Sequence, residues 1–315
     1  MSLLPVTPAH ELPDSPEEGR WLLEGLWTEE GVGIIGGEPK CCKSFLALSL
    51  AVAVASGEPC LGRFRVVRKG RVLLFAAEDA LPLVRRRLEG LCAACGRRLP
   101  DVDIQVITAP SVRLDLPEDR AKLAQTVAAL APRLLLLDPF VRLHRIDENA
   151  SAEVAPLLAF LRELQRSHRM AVAVVHHAKK GGGGLRAGQA LRGSSEFHAW
   201  GDSNLYLRRH GERLTLSVEH RAGPSSAELP LRLAVDGDVV ALEVVPAPGP
   251  SPAAVSCSVA ERIREVLRGA AAPIPRQELR GACRVRAATL AGELVRLVRD
   301  NEVVKTDAGY ALAPR

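Results

Sequence analysis

The chain lacks any apolar run long enough to cross a bilayer. Its longest aliphatic stretches, "LALSLAVAVA" and "RLLLLDPF", fall short of the roughly 20 residues that a spanning helix needs. The opening "MSLLPVTPAHELPDSPEEGR" lacks the basic segment followed by a long apolar one that marks a secretory leader, so the protein is expected in the cytoplasm. A zinc set is missing as well. The seven cysteines are irregularly spaced, and the lone Cys92-x-x-Cys95 has no second pair to complete it. Reduced cytosolic thiols are the expectation. No internal repeat is visible.

What is present is an ordinary globular composition, with 47% apolar and 25% charged residues over a length of 315. That is enough for one large core and a small module. Residues 246–257, "PAPGPSPAAVSC", read as a linker rich in Pro, Ala, Gly and Ser. It divides a body at 21–245, preceded by an extension at 1–20, from a tail at 258–315. Charge follows the same division. Residues 256–315 hold 11 Lys and Arg against 7 Asp and Glu, whereas residues 1–255 hold 31 against 30. Nearly all the net positive charge therefore lies in the tail, as a module that binds an acidic partner would have it.

Within the body, apolar runs alternate with helical patterns. "GVGIIGG" (31–37), "GRVLLFAAED" (70–79), "RLLLLDP" (133–139) and "MAVAVVHH" (170–177) read as strands. "KSFLALSLAVAVASG" (43–57), "LPLVRRRLEGLCAACG" (81–96) and "SAEVAPLLAFLRELQRS" (151–167) read as helices. Strands that are apolar on both faces and separated by helices predict an α/β fold with a parallel sheet covered on both sides. Residues 203–245 alternate about turn signals and suggest antiparallel hairpins at the sheet edge.

Ligands of such sheets bind at the carboxyl ends of the strands, and polar residues stand at four of those ends. After the first comes "GGEPKCCKS", close to the phosphate-loop pattern G-x-x-x-x-G-K-[ST] but with Cys42 where the second glycine belongs. Gly37, Glu38, Pro39, Lys40, Cys41, Cys42, Lys43, Ser44 and Phe45 are expected to wrap a nucleotide's phosphates. Lys43 would reach the outer phosphates, and Ser44 with Asp138 would hold Mg2+. Glu78 is the candidate base for the attacking water, and His176 and His177 are candidate γ-phosphate sensors. Acids just past a strand are also common helix caps, but caps alone do not explain all four strand ends in chain order. Placed in the first helical turn, Cys42 would have a negative φ and its small Cβ would cost little. A working loop for ATP is expected.

The set "GGEPKCCKSFLALSLAVAVASG", "VLLFAAED", "LLLLDPFVRLHRIDENAS", "VVHHAKK" and "RGSSEFHAWGDS" resembles the RecA-like P-loop ATPases of the RepA type, replicative helicases and AAA-like relatives of mobile elements. The resemblance spans about residues 20 to 220. It implies a RecA-like core, a homo-oligomeric hexameric ring and ATP bound between subunits. It also implies that Arg192 of "RGSS" is the arginine finger completing a neighbour's site, with Arg208 and Arg209 as rivals. The loop that follows the sensor strand would face the ring's channel and touch DNA. Lys179, Lys180 and Arg186 there suit contacts to the phosphates of a single strand; a surface loop without a partner is the alternative.

The tail reads as three helices and a hairpin and resembles a winged helix. Its third helix would enter a groove of duplex DNA with Arg284, Arg286 and Thr289, and Lys305 of the wing would touch phosphate. Many such modules dock protein instead. Two functions remain open: a helicase-like motor or loader, or a DNA-binding switch that ATP assembles without unwinding.

Overall fold

The computed structural model describes residues 4, 6–12, 20–177, 196–221, 228–237, 239–245, 259–270, 272–283, 285, 287–306 and 308–313. The chain divides into two compact units, Met1–Pro246 and Ala247–Arg315.

The first unit opens with a small hairpin, β1 (Trp21–Leu23) and β2 (Trp27–Thr28). Then follow β3 (Val32–Gly37), α1 (Lys43–Ser56), β4 (Val72–Ala76), α2 (Leu81–Ala94), β5 (Ile104–Val106) and α3 (Pro117–Leu130). The chain continues through β6 (Leu134–Asp138), α4 (Ser151–His168), β7 (Ala171–His177), α5 (Glu196–Trp200) and four strands, β8 (Ser203–His210), β9 (Arg213–His220), β10 (Leu229–Asp236) and β11 (Val239–Val244). Among the described residues, nine strands form one sheet in the order β11-β10-β9-β8-β3-β7-β6-β4-β5. From β8 to β5 all neighbours run parallel, and β9 to β11 complete it antiparallel.

Strict alternation along the parallel strands feeds two cores. Ile35, Leu74, Leu136 and Val175 pack with α1 and α2 on one face. Ile34, Phe75, Leu137 and Val174 pack with α3 and α4 on the other. A strand buried on both faces has no polar positions to spare, which is why these four segments read as continuous apolar runs. Helix α1 is buried over almost its whole length. It ends where Gly57 takes a left-handed φ of 85° and donates back to Ala53, the usual glycine stop.

Residues 203–245 depart from the expected edge hairpins in one respect. β8 lies inside the sheet, parallel to β3. Asp202, just before β8, and Asn204 within it serve β3 through side chains: the N–H groups of Val32 and Ile34 donate to Asp202 Oδ2 and Asn204 Oδ1, each at 3.1 Å. The Asp202 N–H also donates to the Val32 carbonyl at 2.7 Å, and the strand register runs from Ile35 opposite Leu205.

The second unit contains α6 (Val259–Arg268), α7 (Arg276–Cys283), α8 (Ala287–Arg299) and the hairpin β12 (Val303–Thr306) with β13 (Gly309–Leu312). Ile263, Leu267, Leu279, Leu290, Leu294 and Leu297 build its core. A bidentate ion pair, Arg264 to Glu302 at 2.6 and 3.0 Å, ties α6 to the start of the hairpin. Among the described residues no helix is long and apolar enough to cross a membrane.

Candidate functional site

The carboxyl ends of β3, β7, β6 and β4 are neighbours in the sheet, and together they wall a cleft of about 320 Å³. Lys43, Ser44, Glu78, Asp138 and His177 all line it, with the loop residues Lys40 to Cys42 forming its floor.

The loop turns sharply at Gly37, whose φ is 157°. A Cβ there would stand 2.5 Å from the Leu207 carbonyl oxygen and 2.6 Å from Cys41 Sγ, so only glycine fits. Lys40 and Cys42 both adopt left-handed backbone, with φ of 63° and 66°. Cys42 is thus the residue preceding α1, not part of its first turn. The expectation of a negative φ at that position is corrected. The chain keeps the backbone angle that glycine usually supplies and accepts the roughly 1–2 kcal/mol that a Cβ costs in that region. The Cys42 side chain reaches Arg209 of β8, whose Nη2 donates to Sγ at 3.3 Å. Cys42 makes no side-chain cap, and no acid stands in the first turn of α1. The first N–H groups of that helix have no carbonyl one turn back, so their dipole is left to an anion.

Lys43 is nearly buried, 6% exposed. Its Nζ donates to the Glu38 carbonyl at 2.8 Å and lies 3.9 Å from Cys41 Sγ. Burial depresses its pKa, while Cys41, Asp138 and Glu78 pull the other way. Opposite it, Asp138 is 9% exposed and accepts a hydrogen bond from Ser44. Burial, with help from Asp79 and Glu78, pushes its carboxyl up to about 6. A desolvated carboxylate beside a hydroxyl is a donor set that fits a hard divalent cation. A buried ammonium at a helix N-terminus fits phosphate oxygens. The residues present therefore suit a magnesium-bound nucleotide.

The two histidines separate, as neighbours on a strand must. His177 lines the cleft. His176 points to the other face, 1% exposed, and stacks on Phe197 with ring centroids 4.2 Å apart. Its imidazole lies 3.9 Å from the Glu148 carboxylate, so His176 is not a lining residue of the cleft.

Three residues around the cleft escaped the sequence reading. Arg87 of α2 is ion-paired with Asp79 and lies over the Phe45 ring, 5.2 Å from its centroid. Arg142 donates its Nε–H to Glu78 Oε1 at 3.0 Å. None carries a local signal, because each contact joins different elements. Of the arginines considered as fingers, Arg208 lies 3.9 Å from Glu228 and Arg209 meets its own chain's loop. Arg192, Lys179, Lys180, Arg186, Arg284 and Arg286 lie outside the described residues. Thr289 and Lys305 are exposed on α8 and β12. Cys92 and Cys95 behave as structural thiols. Cys95 donates to the Cys92 carbonyl at 3.2 Å, and burial raises both pKa values, that of Cys92 to about 11.

Among solved structures, the fold is similar to that of the crystal structure of the RadB recombinase, with a TM-score of 0.50 at 16% identity, covering 69% of this chain and 92% of that one. The architecture is RecA-like, a mostly parallel sheet flanked by helices with antiparallel strands at one side. A family model described as an AAA domain (AAA_25) matches residues 2–183, more than half of the chain, and the protein belongs to that AAA domain family.

Proposed function

We propose that this protein hydrolyses ATP and acts on DNA as a RepA-type motor or loader of a mobile element. The observation that supports the reading is the meeting of Lys43, Ser44, Glu78, Asp138 and His177 from four adjacent strand ends in one cleft. In this reading the loop from Gly37 to Phe45 and the Lys43 ammonium hold the phosphates. Ser44 and Asp138 hold magnesium, which when bound supplies positive charge against the phosphate oxygens. Glu78, exposed at the rim, turns a water toward the γ-phosphate and takes up its proton. His177 senses whether that phosphate is present.

A ring, hexameric in form, places the cleft between subunits, where Arg192 of a neighbour neutralises the charge that develops in transfer. Lys179, Lys180 and Arg186 then follow a single strand in the channel. The second unit has the order of a winged helix, three helices and then a hairpin. Arg284, Arg286, Thr289 and Lys305 give it a duplex-facing surface. A second reading, an ATP-assembled DNA-binding switch without unwinding, is favoured by Cys42, which puts a side chain where the phosphate-loop pattern has glycine.

Hydrolysis by the intact chain, by Lys43→Ala and by Glu78→Gln tests the site. Both substitutions are expected to abolish turnover, Glu78→Gln while still binding ATP. Normal turnover in either contradicts the reading. Directional unwinding of a forked duplex separates motor from switch, since the switch binds DNA and unwinds nothing.

A further inference from the structure

Two consecutive acids stand at the end of β4, and each meets its own arginine. Asp79 is ion-paired with Arg87, and both side chains are about a quarter exposed, 25% and 23%. Glu78 accepts from Arg142, and this pair is more open, at 42% and 61%. The more enclosed acid is thus taken up by α2, and the one left with access to water is Glu78. Arg142 closes the short helical turn Phe140–Arg142, which begins two residues after Asp138. Its guanidinium therefore bridges the end of β6, which carries the buried carboxylate, to the end of β4, which carries the exposed one.

We propose that Arg142 is a positioning residue for the Glu78 carboxylate. The inference rests on the reading of Glu78 as the group that polarises the attacking water. A half-exposed glutamate has three rotatable side-chain bonds and samples several orientations unless something holds it. The Arg142 Nε–H engages Oε1, so the carboxylate is fixed with Oε2 left for water. A base oriented by a third group is a recurring arrangement in activated nucleophiles. Other charged and titratable groups line the cleft, namely Lys40, Cys41, Cys42, Lys43, Asp79, Arg87, Asp138 and His177, and all are kept in the Arg142 variants.

The test uses the full chain with ATP and magnesium, measuring kcat and KM for wild type, Arg142→Ala, Arg142→Gln and Arg142→Lys, with Glu78→Gln alongside. Arg142→Ala and Arg142→Gln are expected to lower kcat about tenfold, the scale of a glutamate's rotamer freedom, with KM within twofold. Arg142→Lys, which keeps a cation and an N–H donor, should restore part of kcat. An unchanged kcat overturns the proposal, as does a raised KM at constant kcat, or a fall in kcat that Arg142→Lys does not relieve. Turnover surviving in Glu78→Gln would overturn the base reading beneath it. A dead Glu78→Gln beside an unaffected Arg142→Ala would overturn the positioning role only.

Discussion

Replacing Asp138 with asparagine should make the empty protein more stable at neutral pH while ending its turnover. The carboxyl is 9% exposed and ionises near 6 rather than 3.8, chiefly because burial penalises its charged form, with the Ser44 hydrogen bond only partly offsetting this. About two pH units correspond to about 3 kcal/mol at most, taking 1.36 kcal/mol per unit. The sign follows from linkage: with the folded pKa above the unfolded one, the penalty is absent below about pH 4. It grows between pH 4 and 6 and is complete above that. In a protein of this size 3 kcal/mol moves Tm by roughly 5–10 °C. Melting of both proteins without nucleotide, at pH 4.5 and pH 7.5, measures the effect. The asparagine variant should melt higher at pH 7.5, with the gap reduced to about a third at pH 4.5. Groups that titrate in both proteins cancel in that difference. A gap of the same size at both pH values, or a less stable variant at pH 7.5, would refute the reasoning. The stability given up at this position is what a cation and a nucleotide would recover, the trade expected of a binding site.

Cys42→Gly removes a Cβ from left-handed backbone and gives up the Arg209 contact. A net gain of about 0.5–1 kcal/mol, read as a rise of a few degrees in Tm, is expected, with ATP binding at least as tight. Destabilisation would show that the Arg209 contact outweighs the strain. Gly37→Ala should break the loop, because its Cβ would lie 2.5 Å from the Leu207 carbonyl. ATP affinity measured by titration should fall at least tenfold, and unchanged affinity would contradict the geometry. Leu294→Ala, at a site 2% exposed in the second unit's core, should cost about 2–5 kcal/mol of that unit's stability. Calorimetry should show its transition lowered, with nucleotide binding by the first unit retained.

The sheet and the cleft were legible because the segments that build them are extreme. A parallel strand buried on both faces leaves a run such as "LLLLD", and the first charge after it marks the strand's carboxyl end. Shorter or mixed segments hid. β5 is three residues long and half-exposed, too little for any periodicity. Helix α3 buries Leu123 and Val127, a stripe too thin to read, although Pro117, Glu118 and Asp119 form a recognisable start. β8 alternates like a hairpin strand, yet its place inside the sheet depends on side chains at 202 and 204 that bond to β3 across 170 residues. The angle at Cys42 was out of reach for a different reason: a lysine that opens a helix does not reveal on which side of the boundary its neighbour falls. The Glu78–Arg142 pair spans 64 residues, and nothing local to either residue points to the other.

Steady-state ATP hydrolysis, with and without single-stranded and duplex DNA and at several protein concentrations, tests the central claim most directly. The account predicts magnesium-dependent turnover that DNA stimulates and that rises more steeply than protein concentration, as a site completed by a neighbour's arginine requires. Absence of both turnover and ATP binding across the concentrations that assemble the protein would contradict it.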